Sequence, residues 1–239
     1  MTLLLPDTKT SRMDADHSRQ DLDTAHGLPK HIVIEGPIGV GKTTLARRIA
    51  TALQYPVLLE PATENPFLER FYFQGRRHAL PTQLFFLLHR TRQLSDLDRD
   101  DLLGTNLVSD FMLEKDDLFA RLTLDEHEYA LYGQIRDALA IRAPAPDLVI
   151  YLQAPVNILL QRIRRRGINA EREIQSDYLE RLNQAYTEFF HYYSEAPVLV
   201  VNAAEIDFAH NESHFTALLQ QALAMDGMRQ YFNAQPTLL

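Results

Sequence analysis

The chain contains no cysteine, which excludes a disulfide framework, a thiolate nucleophile and zinc or iron–sulfur sites held by sulfur. It also lacks an excess of basic charge. Lysine plus arginine number 24 against 32 aspartate plus glutamate, a formal net charge of −8. Phosphate backbones are held mainly by clustered cations, so a general nucleic-acid coat is excluded and no nucleic-acid polymer is expected as a partner. No apolar run approaches the ~20 residues that span a bilayer. Leu3 to Leu5 is cut off by Pro6 and followed by acidic and polar residues, unlike a signal-peptide core. No membrane partner is expected, and the cytoplasm is the expected location.

What is present is ordinary globular material: 46% hydrophobic and 23% charged residues over 239 positions, enough for a sizeable core in about one domain. Residues 1–29 show no sustained periodicity and scatter five aspartates among Ser, Thr, Lys and His. They are expected as a flexible N-terminal tail, with Met13 a candidate alternative start, ahead of a single domain over 30–239.

Short apolar, β-branched runs at 31–35 (HIVIE), 56–60 (PVLLE), 107–110, 148–152 (LVIYL) and 197–201 (PVLVV) predict five strands. Helical periodicity predicts helices near 44–53, 66–73, 81–103, 114–121, 125–142, 155–165, 175–194 and 213–224. Strands alternate with helices throughout. The expected fold is therefore α/β, with a five-stranded parallel sheet covered on both faces.

Gly36, Pro37, Ile38, Gly39, Val40, Gly41, Lys42 and Thr43 match G-x-x-x-x-G-K-[ST], with a strand running in and an amphipathic helix, from Thr44, running out. Glycines let backbone N–H groups converge on phosphate oxygens, Lys42 reaches the outer phosphates, and the Thr43 hydroxyl suits Mg²⁺. The helix adds its positive N-terminal end. This is a candidate site for ATP over Gly36 to Thr44. No N-K-x-D guanine-reading motif accompanies it.

The second strand ends in Glu60-Pro61. Carboxyl ends of parallel strands line the ligand crevice, so Glu60 is either an acceptor for the proton of an attacking hydroxyl or a solvated strand-end acid. Position alone leaves both open.

The segments EGPIGVGKTTLA (35–46), LEPATENPFLERFY (59–72), QLFFLLHR (83–90), RIRRRGINAEREI (162–174) and DYLERLNQAYTEFF (177–190), taken together and in order, resemble the deoxyribonucleoside kinase family. The N-P-F-L after Glu-Pro is similar to its bacterial deoxyadenosine and deoxyguanosine kinase branch. The resemblance implies a P-loop kinase three-layer sandwich with an Arg-rich lid, a homodimer, and a small-molecule nucleoside substrate. It implies Glu60 as general base for the sugar 5′-hydroxyl, Tyr72 and Glu171 on the 3′-hydroxyl, Gln83 on the base, and Arg90 on the base or a carboxylate. Arg162, Arg165 and Arg166 become lid cations over the transferring phosphoryl group, and Asp110 joins Thr43 around Mg²⁺. Phe67, Phe71, Phe85 and Phe86 are candidates to stack on the base or to fill a core.

Two departures stand out. The family usually carries an acidic–Arg–Ser triplet after the third strand, where this chain has Asp110-Phe111-Met112, and Ile168 stands where many relatives place a basic lid residue. Lys115 is a candidate substitute for the missing arginine, or a surface lysine paired with Asp116 or Asp117. The expected reaction is ATP-dependent phosphorylation of a 2′-deoxynucleoside, leaning to the purines, for nucleotide salvage. Rival readings are a nucleoside monophosphate kinase of the thymidylate kinase type and a non-enzymatic nucleotide-binding switch. Thymidylate kinases commonly place an arginine before the Glu-Pro; here that residue is Leu59.

Overall fold

The computed structural model describes residues 27–99, 106–140 and 143–233. Most of the segment expected as a tail, residues 1–26, lies outside the described residues.

Six strands form one parallel sheet: β1 (His31–Glu35), β2 (Val57–Leu58), β3 (Leu107–Ser109), β4 (Leu148–Gln153), β5 (Val198–Asn202) and β6 (Arg229–Phe232), in the order β2-β3-β1-β4-β5-β6. Consecutive residues of β1 and β4 are buried, Ile32 to Ile34 and Leu148 to Leu152 alike, so both faces are covered. The helices are α1 (Lys42–Leu53), α2 (Leu68–Gln74), α3 (Ala79–Arg99), α4 (Glu114–Thr123), α5 (Glu126–Leu139), α6 (Val156–Arg166), α7 (Ser176–Tyr192) and α8 (Glu212–Leu223).

Two expectations need correction. The sheet has six strands, not five. β6 is the short, partly exposed sequence RQYF at an edge, paired in parallel with β5. It carries no apolar run, because an edge strand buries little and its pairing is made by backbone. The second strand is also shorter than 56–60. Only Val57 and Leu58 pair with β3, because the N–H of Glu60 leaves the ladder and donates to the Asp110 carboxylate at 2.7 Å. That departure builds the site.

Helix α3 starts two residues before Pro81, which is tolerated in the first turn where its missing N–H has no intrahelical partner. Asp125 and Glu128 form a reciprocal capping box at the head of α5. A main core fills both faces of the sheet, and a second cluster of Leu68, Phe71, Ala79, Leu87, Ala120, Leu124 and Tyr132 joins α2 to α5. No helix among the described residues is long and apolar enough to cross a membrane.

Candidate active site

Chain connections diverge between the neighbouring strands β1 and β3, and the crevice at their carboxyl ends is where a ligand fits in such a sheet. The phosphate loop leaves β1 there. Gly36 has φ +145°, and a side chain on it would bring Cβ within 2.4 Å of the Leu152 carbonyl on β4. Gly39 has φ +82° and packs under Ile163 of α6, where a Cβ would lie 2.7 Å away. Glycine at these positions lets the loop lie flat between β4 and the lid helix.

Lys42 folds back over the loop, its ammonium donating to the carbonyls of Gly36 at 2.8 Å and Pro37 at 3.2 Å. Burial and the nearby Lys115 lower its pKa to about 8, although Glu35, Glu60 and Asp110 oppose the shift. A cleft of about 420 Å³ opens beside it, lined by Gly39 to Thr44, by Arg162, Arg165 and Arg166, and by Ile206 to His210. Gly36 and Pro37 are buried at the start of the loop, and Ile38 lines the neighbouring pocket.

The lid arginines divide. Arg162 is held by backbone, donating to Val40 O at 3.1 Å and Ala203 O at 2.7 Å, so it braces the loop. Arg165 and Arg166 line the cleft, and Arg166 also pairs with Glu171. Arg164 is exposed and lines neither pocket.

A second pocket shares Gly39, Lys42 and Thr43 with the first and is bounded by Glu60, Tyr72, Gln83, Arg90, Asp110, Arg166 and Glu171. Every residue matched to an acceptor role thus meets in one place. Asp110 is buried and accepts from the Thr43 hydroxyl at 2.5 Å and from Glu60 N–H at 2.7 Å. Glu60 accepts from Lys115 at 2.9 Å and pairs with Arg90, which pairs in turn with Asp116. Burial alone would raise the pKa of Glu60, but Arg90 and Lys115 outweigh it and bring it down to about 2. Glu60 is therefore held ionised between two cations, and at 14% side-chain exposure it is not a solvated strand-end acid.

Gln83 is buried and donates to the Thr123 hydroxyl at 3.3 Å. Burial, followed by Tyr178, Glu171 and Glu60, pushes the Tyr72 phenol well above its usual range, so its hydroxyl remains a donor. Of the four candidate phenylalanines only Phe86 lines this pocket. Phe71 belongs to the helical core, Phe85 stacks on His89 at 4.3 Å, and Phe67 lies outside.

Sequence reasoning missed Phe119 on the pocket wall, Asp116 as the partner of Arg90, and the buried carboxylate Glu35. The surface reading of Lys115 is corrected. Its side chain is 5% exposed and directed to Glu60, while Asp116 serves Arg90 and Asp117 serves Arg121 and Arg136. No pattern in Glu114-Lys115-Asp116-Asp117 distinguishes which of four adjacent charges turn inward.

Thr43 and Asp110 present hard oxygen donors at the boundary of the two pockets, which suits Mg²⁺, an ion often held by one or two protein oxygens plus substrate phosphates. Among the described residues no group of three or more His, Cys, Asp or Glu forms a metal cage.

Comparison with known proteins bears on the family and the fold. A family model described as deoxynucleoside kinase matches residues 32–225. The deoxyguanosine kinase of Bacillus subtilis (strain 168) is 36% identical over 189 residues, covering 77% of this chain and 91% of its own. The deoxyadenosine/deoxycytidine kinase of the same organism is 28% identical over 206 residues, covering 82% and 94%. A solved structure of deoxyadenosine kinase from M. mycoides with bound dCTP superposes with a TM-score of 0.70 at 26% identity, covering 82% of this chain and all of that one.

Proposed function

The chain belongs to the deoxynucleoside kinase family and is a kinase that phosphorylates a deoxyribonucleoside; from that premise we propose that it transfers the γ-phosphoryl group of ATP to the 5′-hydroxyl of a purine deoxynucleoside. The observation that carries the reading is the junction at Asp110, which joins Thr43 of the phosphate loop to Glu60 of the acceptor pocket. The purine leaning rests on similar chains named deoxyguanosine and deoxyadenosine kinase.

Phosphoryl transfer asks a protein mainly for positioning and charge. Lys42 and the phosphate-loop N–H groups hold the donor, and Arg165 and Arg166 close on its outer phosphates from α6. Glu60 faces the acceptor hydroxyl and takes its proton as the new P–O bond forms. A carboxylate has about four acceptor directions, so holding two cations leaves room for a hydroxyl. Tyr72 and Glu171 bind the 3′-hydroxyl, and Gln83 with Arg90 offers donors and an acceptor to the base edge, Arg90 being held in place by Asp116. Mg²⁺ held by Thr43 and Asp110 would supply charge neutralisation on the phosphates. ADP and the 5′-monophosphate are the products.

The cations of the acceptor pocket weigh against a monophosphate acceptor. Arg90 already pairs with Glu60 and Asp116, and the other cations of the pocket, Lys42, Lys115 and Arg166, are assigned to the transferring phosphoryl group, whereas a phosphorylated acceptor needs cations of its own. The reading places one kinase domain over residues 30–239 in the cytoplasm, as a homodimer. Leu88 on α3 and Leu131 on α5 are exposed apolar residues available to a partner copy.

ADP release against the four deoxynucleosides, their ribose forms and their monophosphates tests the proposal. Turnover is expected with deoxyadenosine or deoxyguanosine, and Glu60→Gln should lower it by about 10²–10⁴-fold. Preference for monophosphates overturns the acceptor assignment, ATP binding without nucleoside-dependent turnover supports a switch, and a few-fold effect of Glu60→Gln moves the base elsewhere.

A further inference from the structure

One fully buried carboxylate takes no part in the mechanism above. Glu35 closes β1 immediately before the phosphate loop and has no exposed surface. Its Oε2 accepts the Gly36 N–H at 3.0 Å and the Tyr186 hydroxyl of α7 at 3.1 Å, and its Oε1 accepts the Met112 N–H at 3.1 Å. Among the described residues no cation pairs with it. Burying a carboxyl is costly unless its oxygens are hydrogen-bonded, and here three donors from separate segments satisfy them. What the carboxyl adds is geometry, because it fixes two backbone N–H groups, from the segments that follow β1 and β3, on one rigid group.

Those two groups belong to the two halves of the reaction. Gly36 opens the loop that carries Lys42, and its carbonyl receives the Lys42 ammonium at 2.8 Å. Met112 lies two residues beyond Asp110, which holds Thr43 and Glu60, and three before Lys115, which holds Glu60 from the other side. We infer that Glu35 is a positioning residue that sets the donor-phosphate loop in register with the segment carrying Asp110 and Lys115, with Tyr186 fixing the rotamer of its carboxylate. The inference rests on the kinase reading of the site. It predicts that loosening Glu35 separates binding from chemistry. Each half-site keeps its own contacts, while the distance between nucleophile and phosphorus, to which transfer is most sensitive, is no longer held.

Glu35→Gln keeps size but has a single acceptor oxygen, so its NH₂ group faces either the Gly36 or the Met112 N–H and that contact is lost. Tyr186→Phe removes only the hydroxyl. The experiment measures kcat, both KM values and the thermal transition for the wild type, both variants and Glu60→Gln. Glu35→Gln is expected to melt cooperatively and lose about 10²-fold in kcat, the scale of an ångström of misplacement, with both KM values within about threefold. Tyr186→Phe should lose about 3–10-fold in kcat, the scale of one hydrogen bond, with the same constancy of KM. A folded Glu35→Gln with near wild-type kcat, or one whose loss falls on KM, overturns the inference. Should Glu35→Gln fail to fold, Tyr186→Phe decides alone, and unchanged kcat overturns it. Glu60→Gln separates the two readings, since normal turnover there sinks the base assignment whatever the Glu35 variants do.

Discussion

Phe111 follows Asp110 at the place where the resembling kinases usually carry arginine, and it is buried with its ring 5.6 Å from the Arg90 guanidinium. On the proposed reading, the next helix supplies positive charge instead. Lys115 reaches back to Glu60 at 2.9 Å, and its charge is felt by Lys42 across the pocket. An ammonium on a flexible stem acts as a point charge and not as a bidentate fork, so it can hold Glu60 and meet an incoming phosphoryl oxygen in turn. Lys115→Ala is expected to lower kcat by about 10²-fold, the scale of losing one preorganised electrostatic contact. Steady-state kinetics at saturating ATP and nucleoside check it. Near-normal activity there, beside a severe loss in Arg165→Ala or Arg166→Ala, would assign the role to the lid.

At the scale of elements, helix α6 is two devices on one frame. Its inner face, through Ile163 and Arg162, packs on the phosphate loop and ties it to Ala203 after β5. Its last turn carries Arg165 and Arg166 over the cleft, ending at Gly167 in the left-handed conformation, φ +70°. If these two arginines act on the transferring group as proposed, alanine at Arg165 or Arg166 should lower kcat by about 10-fold or more, because charge lining the cleft is lost. Arg164→Ala should stay within about twofold, the same helix with an outward arginine removed. Equal effects at all three positions would mean that α6 contributes a diffuse basic field and not a directed lid.

For the whole molecule, the cluster of Glu60, Arg90, Lys115 and Asp116 ties the end of β2 to α3 and α4. Glu60 titrates near 2 in the folded chain, against 4.5 for an ordinary glutamate, because Arg90 and Lys115 outweigh the burial that would raise it. A carboxyl with a depressed folded pKa stabilises the fold above its unfolded value and loses that contribution as pH falls through the folded one. Glu60→Gln should therefore be less stable than the wild type at pH 7. The difference should shrink between about pH 5 and pH 2, where the wild-type carboxyl itself takes a proton. Denaturant melts of both proteins at pH 7, 4.5 and 2.5 check this. A difference constant with pH would show that Glu60 is not held by these cations in solution.

Sequence alone determined what depends on local pattern. The phosphate loop was legible because glycine spacing and a Lys-Thr pair are dictated by close backbone approach to phosphate. β1 and β4 were legible because burial on both faces demands continuous β-branched runs. Tertiary structure decided whatever depends on a partner distant in the chain. The last pairing of β2 is replaced by a contact with Asp110, fifty positions away, and β6 exists only because β5 offers an open edge. Whether Lys115 faces solvent or Glu60, which of four phenylalanines reaches the acceptor pocket, and why a carboxylate can be buried at Glu35 are set by what other strands and helices bring alongside. A charge or an aromatic ring reads the same in sequence on either face of a helix. Its cost or benefit appears only when packing fixes the groups around it.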